Sequence, residues 1–216
     1  MKNFTQDDSK VEVTGTEAKY YDTFMNIISL GTYPSFIKKA IRDMKLKEGE
    51  EILDLGCGTG RNDCLMLKYI GDKGKITGIE IGEEMKKKFL ANCNKPNVDL
   101  INNRIDHPFD LQKKFDTIFI SFVLHGFIQE KREIIINNAK NSLKPGGRFI
   151  ILDYNEFDID RSGFITRFAI RKMECPLAED FINRDIKSVL KKVGFNSFSE
   201  DLYYGKKVRL LTAGLN

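Results

Sequence analysis

The chain has 216 residues, 41% hydrophobic and 31% charged, with 35 Lys and Arg against 31 Asp and Glu. A chain of this length suits one domain and buries about 70% of the surface its unfolded form exposes, so it needs no disulfides to fold. The weak, dispersed positive excess excludes a strongly basic nucleic-acid binder, and Cys57, Cys64, Cys93 and Cys175, with only His107 and His125 as histidines, have no zinc-site spacing.

Met1 to Lys10 is polar and acidic, unlike a signal peptide, and no apolar run approaches the roughly 20 residues of a spanning helix. These features lead us to expect a soluble protein of the reducing cytoplasm, its cysteines acting as small buried hydrophobes. Residues 1–19 read as a flexible N-terminus and 20–216 as a single domain. Within it, 20–46 form cap helices, one over Tyr20 to Leu30 and one over Pro34 to Met44. The second carries a stripe of Phe36, Ile37, Ala40, Ile41 and Met44.

From Glu51 the chain alternates between buried strands and amphipathic helices. The apolar runs Ile52–Leu55, Ile76–Ile79, Val98–Ile101, Thr117–Phe122 and Arg148–Leu152 predict strands. Between them, Leu65, Met66, Tyr69 and Ile70 predict one helix face ending at Gly71. Met85, Phe89 and Leu90 predict a second, with Glu83 and Glu84 in its first turn and Lys86 to Lys88 after them, an order that suits the helix dipole. Ile135, Ile136, Ala139 and Leu143 predict a third, closed by Lys144-Pro145-Gly146-Gly147. Strand–helix–strand alternation with short connections implies a parallel sheet with right-handed crossovers.

After residue 153 the rhythm changes. Phe164, Ile165, Phe168, Ala169 and Met173 form an extra apolar stripe, making residues 153–182 a candidate substrate lid. A helix over Ile186 to Val193 stops at Gly194, and the runs 197–204 and 207–212 meet at Gly205 as an antiparallel hairpin.

One motif carries the chemistry. Gly56, Gly58 and Gly60 follow a buried strand and open a helix, in Asp54-Leu55-Gly56-Cys57-Gly58-Thr59-Gly60. Glycines there permit unusual dihedrals and close approach of a ligand to the backbone, while the helix N-terminus suits an anionic group such as an amino-acid carboxylate. The spacing is G-x-G-x-G, not the dinucleotide G-x-G-x-x-G, which disfavours a nicotinamide oxidoreductase. Glu80 ends the second strand, where a carboxylate can accept from both hydroxyls of a ribose.

These residues resemble the class I S-adenosylmethionine (SAM)-dependent methyltransferases. Glu51 to Gly60 resembles their first motif, Ile79-Glu80 their second, and Leu143 to Gly147 the turn before their fifth strand. The resemblance implies a Rossmann-like α/β fold. Its seven-stranded, mostly parallel sheet would have the order 3-2-1-4-5-7-6, helices on both faces and a C-terminal antiparallel hairpin. It implies SAM as cofactor, S-adenosylhomocysteine as product, and Asp54, Gly56, Gly58 and Gly60 around the methionine moiety. Glu80 would hold the ribose, Arg104-Ile105 edge the adenine and Ser121-Phe122 line the sulfonium side, with Cys57 and Ile81 also counted as cofactor contacts. Arg104 stands where the family usually carries an acidic acceptor for the adenine amine, and an arginine cannot accept; Asp106 or a backbone carbonyl would have to substitute.

Upstream, Tyr21-Asp22, Met25-Asn26, Ser29-Leu30-Gly31 and Phe36 resemble the entry segment of the ubiquinone/menaquinone biosynthesis (UbiE-like) C-methyltransferases. There the N-terminal helices cover the cofactor and shape the substrate mouth, which implies Tyr21 as a cofactor contact. The chain departs from that group at Leu124-His125-Gly126, where those enzymes carry an Arg-Asn pair, and in a shorter stretch over 153–180.

Methyl transfer from a sulfonium needs alignment and exclusion of water, and a base only when the acceptor must lose a proton. His125, after the fourth strand at the carboxyl end of the sheet, is the candidate base; an unperturbed imidazole titrates near 6.5. Tyr154 is a second candidate catalytic residue, and alternation along the fifth strand should send Asp153 and Tyr154 to opposite sides. His107, beside Pro108, should face solvent. The expected activity is that of a SAM-dependent methyltransferase (EC 2.1.1 type) on a small lipophilic or aromatic molecule, a quinone precursor among the candidates. Peripheral membrane contact is expected if the acceptor is lipophilic, and the chain is expected as a monomer or homodimer. The alternatives are an RNA methyltransferase, disfavoured because Ser121-Phe122-Val123-Leu124 is not an Asn/Asp-Pro-Pro-aromatic run, and a SAM-binding protein without catalysis.

Overall fold

A computed structural model describes residues 31–168, 170–171 and 176–215. The expected helix over Tyr20 to Leu30, with Tyr21, Asp22, Met25 and Asn26, lies outside them, as do Ala169, Met173 and Cys175. In chain order the elements are α1 (Tyr33–Asp43), β1 (Glu51–Leu55), α2 (Arg61–Ile70), β2 (Lys75–Ile79), α3 (Glu83–Asn92), β3 (Val98–Ile101) and β4 (Phe115–Ser121). A 3-10 turn (Leu124–Gly126), α4 (Gln129–Ser142), β5 (Leu143–Tyr154), α5 (Phe164–Phe168), α6 (Pro176–Ile182), α7 (Ile186–Val193), β6 (Ser197–Tyr203) and β7 (Val208–Gly214) follow.

The strands form one seven-stranded sheet in the order 3-2-1-4-5-7-6, parallel from β3 to β5, with β7 antiparallel to both β5 and β6. Successive residues of the central strands serve opposite cores. Leu53, Ile118, Ile120, Phe149, Ile151 and Leu211 pack with Ile135, Ile136 and Ala139 of α4 and Ile186 and Leu190 of α7. Their neighbours Ile52, Phe119, Ile150, Leu152 and Leu210 pack with Phe36, Ile37, Ala40 and Ile41 of α1 and Met66 and Ile70 of α2. Strands covered on both faces read as continuous apolar runs for this reason. Truncating any of these buried isoleucines or leucines to Ala costs about 2–5 kcal/mol.

The ends of the predicted helices need correction. Leu143 opens β5 instead of closing α4, because the Lys-Pro-Gly-Gly turn is carried within the strand and the pairing slips between Phe115↔Leu143 and Thr117↔Arg148. Tyr69 and Leu90 are 39% and 55% exposed. Each lies one position from a residue that takes the sheet-facing place, Ile70 and Phe89, and a helix turns about 100° per residue. Lys86 and Lys87 reach back to Glu83 and Glu84 at 2.6 and 2.8 Å. Phe164 and Phe168 are 73% and 51% exposed and stack on each other, with ring centroids 6.3 Å apart, so these two residues are not core. Nearby, Ile159, Ile170 and Ile182 make a separate small cluster. Among the described residues no helix is long and apolar enough to cross a membrane.

Candidate active site

The glycine loop joins β1 to α2 at the carboxyl end of the parallel strands. Gly56, Gly58 and Gly60 all have left-handed φ, at 75°, 55° and 72°. Gly56 and Cys57 donate their N–H groups to the carbonyl of Ile79 at 2.9 and 3.1 Å, so the loop is tied to the end of β2. Gly60 is glycine for a second reason: a Cβ there would lie 2.7 Å from the ring of Phe89 in α3. At Gly58 a Cβ would meet nothing within 4 Å, so the backbone faces open space there.

Glu80 sits beneath that opening. Its Oε2 accepts from the Gly58 N–H at 3.0 Å, and its Oε1 accepts from Ile81 and Gly82 at 2.9 and 2.7 Å. Oε1 has both lone pairs engaged and Oε2 only one, so the anchored carboxylate keeps acceptor capacity for a hydroxyl at Oε2. Behind the loop, Asp54 is 1% exposed and its Oδ1 has no hydrogen-bond partner. Burial above all, then the charges of Asp63 and Glu80, push its carboxyl well above the usual range. These residues fit SAM: an orphaned carboxyl for its ammonium, a half-buried carboxylate for its ribose, and bare backbone between. Asp54, Gly56, Gly58, Gly60 and Glu80 are therefore brought together as the motif predicts, with Cys57 buried against Gly78 and Ile81 half-buried beside Glu80.

The adenine side is less open to assignment. Arg104 donates through Nε and Nη2 to both oxygens of Asp106, each at 2.9 Å, and Lys131 lies 3.6 Å from the same carboxylate. Burial opposes the charge of Asp106, but these two cations hold its carboxyl below the usual range. Asp106 is thus engaged in a local ion cluster. Ile105 is 7% exposed and belongs to the core, with its carbonyl accepting from Asn138 at 2.9 Å. His107 is exposed, as expected.

Across the loop, β4 ends at Ser121 and Phe122 takes a left-handed φ of 52°. The Phe122 ring meets Tyr33, Phe36 and Tyr154 at centroid distances of 6.5, 6.2 and 6.1 Å. Val123 then packs against Gly56, its Cγ2 3.0 Å from where a Cβ would stand.

The 3-10 turn presents His125. Its Nδ1 lies 2.7 Å from Oδ1 of Asp153, and its backbone N–H donates to Oδ2 at 3.2 Å. Asp153 is 1% exposed and also accepts from the Tyr154 N–H at 2.8 Å. A buried carboxyl group on Nδ1 fixes the orientation of the ring and leaves Nε2 as its other nitrogen. The Tyr154 ring meets the imidazole edge-on at 5.1 Å, and Phe181 flanks it at 6.4 Å. Asp153 and Tyr154 both reach the same histidine, contrary to the expectation from alternation, because the turn lies across the end of β5.

Arg132, fully buried in α4, holds that turn. It donates to the carbonyls of Leu124, His125 and Leu177 at 3.2, 3.2 and 3.1 Å and to Asp180 at 2.6 Å. Sequence reading missed Arg132, Asp63 and the pairing of Asp153 with His125. Helix spacing marks Arg132 as adjacent to an apolar face, but nothing local signals which carbonyls it satisfies.

The ubiE/COQ5 methyltransferase family matches residues 4–174. Demethylmenaquinone methyltransferase of Staphylococcus carnosus (strain TM300) is 28% identical over 157 residues, 72% of this chain and 64% of that protein. The chloroplastic 2-phytyl-1,4-beta-naphthoquinone methyltransferase of Arabidopsis thaliana is 27% identical over 168 residues, 74% of this chain and 63% of its own length. The chain thus spans under two thirds of each of these relatives. Among solved structures, a SAM dependent methyltransferase from Aquifex aeolicus superposes with a TM-score of 0.65 at 19% identity, covering 99% of this chain and 100% of its own, which supports the fold. With a glycine loop and carboxylate of this geometry inside the matched region, the chain belongs to the ubiE/COQ5 methyltransferase family.

Proposed function

We propose that this chain is a SAM-dependent methyltransferase acting on a small aromatic, lipophilic acceptor of the quinol-precursor kind. The observation that carries the cofactor is the open backbone at Gly58 with Glu80 bound beneath it. When bound, the cofactor supplies an electrophilic methyl on a sulfonium centre. Asp54 would take its ammonium, Glu80 a ribose hydroxyl, and Ser121 and Phe122 its sulfonium side; Arg104, Ile105 and Tyr21 are carried as further contacts by family resemblance. The relatives from Staphylococcus carnosus and Arabidopsis thaliana are named as demethylmenaquinone and 2-phytyl-1,4-beta-naphthoquinone methyltransferases, which favours an acceptor of that class.

On the acceptor side, the rings of Phe122, Tyr154 and Phe181 around His125 suit a flat, apolar substrate. His125 is the proposed base. With Nδ1 engaged by Asp153, it takes the acceptor's hydroxyl proton at Nε2, which converts a phenol into a phenolate able to attack through oxygen or ring carbon. Tyr154 orients the imidazole and borders the acceptor. The exposed Phe164 and Phe168 pair, in the 153–182 insert, is proposed as the apolar inner face of a substrate lid.

Calorimetric titration tests the cofactor: SAM and S-adenosylhomocysteine should bind at about micromolar Kd, or −8 kcal/mol. Binding of NADH in their place would reject the proposal.

A further inference from the structure

Arg132 opens the buried stripe of α4. Ile135, Ile136 and Ala139 follow it at i+3, i+4 and i+7, so a guanidinium enters the core where the helix pattern calls for an apolar side chain. It is fully buried, and four of its five N–H groups have acceptors. A cation in that place is costly unless its donors are met and its charge is balanced.

The acceptors come from two places. Nε donates to the carbonyl of Leu124 and Nη2 to that of His125, both at 3.2 Å and both in the 3-10 turn. Nη2 also donates to the carbonyl of Leu177 at 3.1 Å, and Nη1 to Oδ2 of Asp180 at 2.6 Å; these two residues belong to α6. Phe181 of the same helix has its ring centroid 5.1 Å from the guanidinium carbon, and it flanks the His125 imidazole at 6.4 Å. Asp180 supplies the counter-charge. Burial opposes its ionisation, but Arg184 and Arg132 hold its carboxyl below the usual range. Arg184, four residues on, reaches both oxygens of Asp180 at 2.9 and 2.8 Å and steadies that carboxylate on the helix. A 3-10 turn of three residues has poor hydrogen-bond geometry of its own. The bonds from Arg132 therefore set where the turn stands, and with it the His125 side chain.

We infer that Arg132 is a positioning residue that docks α6 onto the turn of His125, so that the proposed base and the aromatic wall at Phe181 are set as one unit. The insert is thereby anchored at its C-terminal end, and opening of the proposed lid belongs to the segment before α6. The part this plays in turnover rests on the reading of His125 as the base; the coupling of turn and helix does not.

Hydrogen exchange of the full chain, read by mass spectrometry of its peptides, tests the coupling without turnover. Asp180→Asn alters α6, takes the charge out of one bond to Arg132, and leaves every residue of the turn as it is. The amides of Gly126 and Phe127, which donate to Val123 and Leu124, should then exchange about tenfold faster, along with those of α6. Peptides over β1 and the glycine loop should exchange as in the wild type. Arg132→Lys keeps the cation but has three donors for four acceptors, and should speed both segments in the same way. Unchanged exchange in the turn of Asp180→Asn overturns the inference, whatever α6 does and even if Arg132→Lys fails to fold. An equal rise in every peptide also overturns it, since that is what a general stabiliser would give. In the second arm, single-turnover rates of Asp180→Asn with a phenolic acceptor should fall about tenfold, while its Kd for S-adenosylhomocysteine changes less than about twofold. Unchanged rates there, with His125→Ala slowed, overturn the positioning role. Unchanged rates in both variants, with faster exchange in the turn, overturn the reading of His125 as the base and uphold the coupling.

Discussion

The two halves of the site are built from different material. On the cofactor side, the chain works through its backbone: three left-handed glycines, a loop tied to Ile79, and a carboxylate that holds three N–H groups. On the proposed acceptor side, it would work through side chains from distant elements: His125 from a turn, Asp153 and Tyr154 from β5, Phe181 and Asp180 from α6, and Arg132 from α4. A backbone cradle tolerates change only where a side chain can be absent. A side-chain cluster can be rebuilt for a new acceptor while the cradle stays as it is. Shared cofactor and variable substrate are what such a division produces.

That contrast can be broken by experiment, beginning with the largest effect. Replacing His125 by Ala should reduce turnover by about 10²–10⁴-fold, the range for a lost general base, while cofactor affinity changes less than about twofold. Single-turnover kinetics with a phenolic acceptor beside calorimetry would measure both; a parallel fall in cofactor affinity would mean that the halves are one unit. Arg132→Met strands three carbonyls, while Asp180 keeps its two bonds from Arg184, and should destabilise the fold by about 3–5 kcal/mol in urea unfolding, on the order of 1–1.5 kcal/mol for each orphaned acceptor. Glu80→Ala should weaken cofactor binding by about 10–100-fold, from the loss of a charge-assisted bond of about 1.5–3 kcal/mol, without altering acceptor preference. The smallest effect is expected for Phe168→Ser, which should raise KM for a lipophilic acceptor about fivefold, near 1 kcal/mol of lost apolar cover. It should leave cofactor affinity unchanged; an equal loss with a polar acceptor would remove the lid from consideration.

Legibility in the sequence follows the same division. Strands covered on both faces and glycines at fixed spacing are local signals, so the strands and the loop with Glu80 could be read from the residues, whereas the sheet order followed only from the family resemblance. His125 could be singled out by position alone. Its partner could not, because Asp153 stands 28 residues on and is selected by how a turn crosses the end of β5. Asp63 gives no sign in an ordinary first helical turn, where an acid is expected to face solvent and favour the dipole; only its burial marks it. Phe164 and Phe168 have core spacing yet lie exposed, since periodicity records which residues share a face and not what covers that face. The K-P-G-G segment reads as a stop, yet the strand has already begun at Leu143.

Phe122 bridges the aromatic residues of α1 and Tyr154 of the proposed acceptor side. Its left-handed φ costs about 1–2 kcal/mol, and it turns the ring away from strand alternation to touch α1 on one side and Tyr154 on the other. A glycine in its place would relieve the backbone and cut the aromatic bridge; any other side chain would keep the strain and give a poorer bridge. Whoever redesigns this pocket must therefore treat that hinge as a single bargain, in which comfort of the main chain and continuity of the walls cannot both be had.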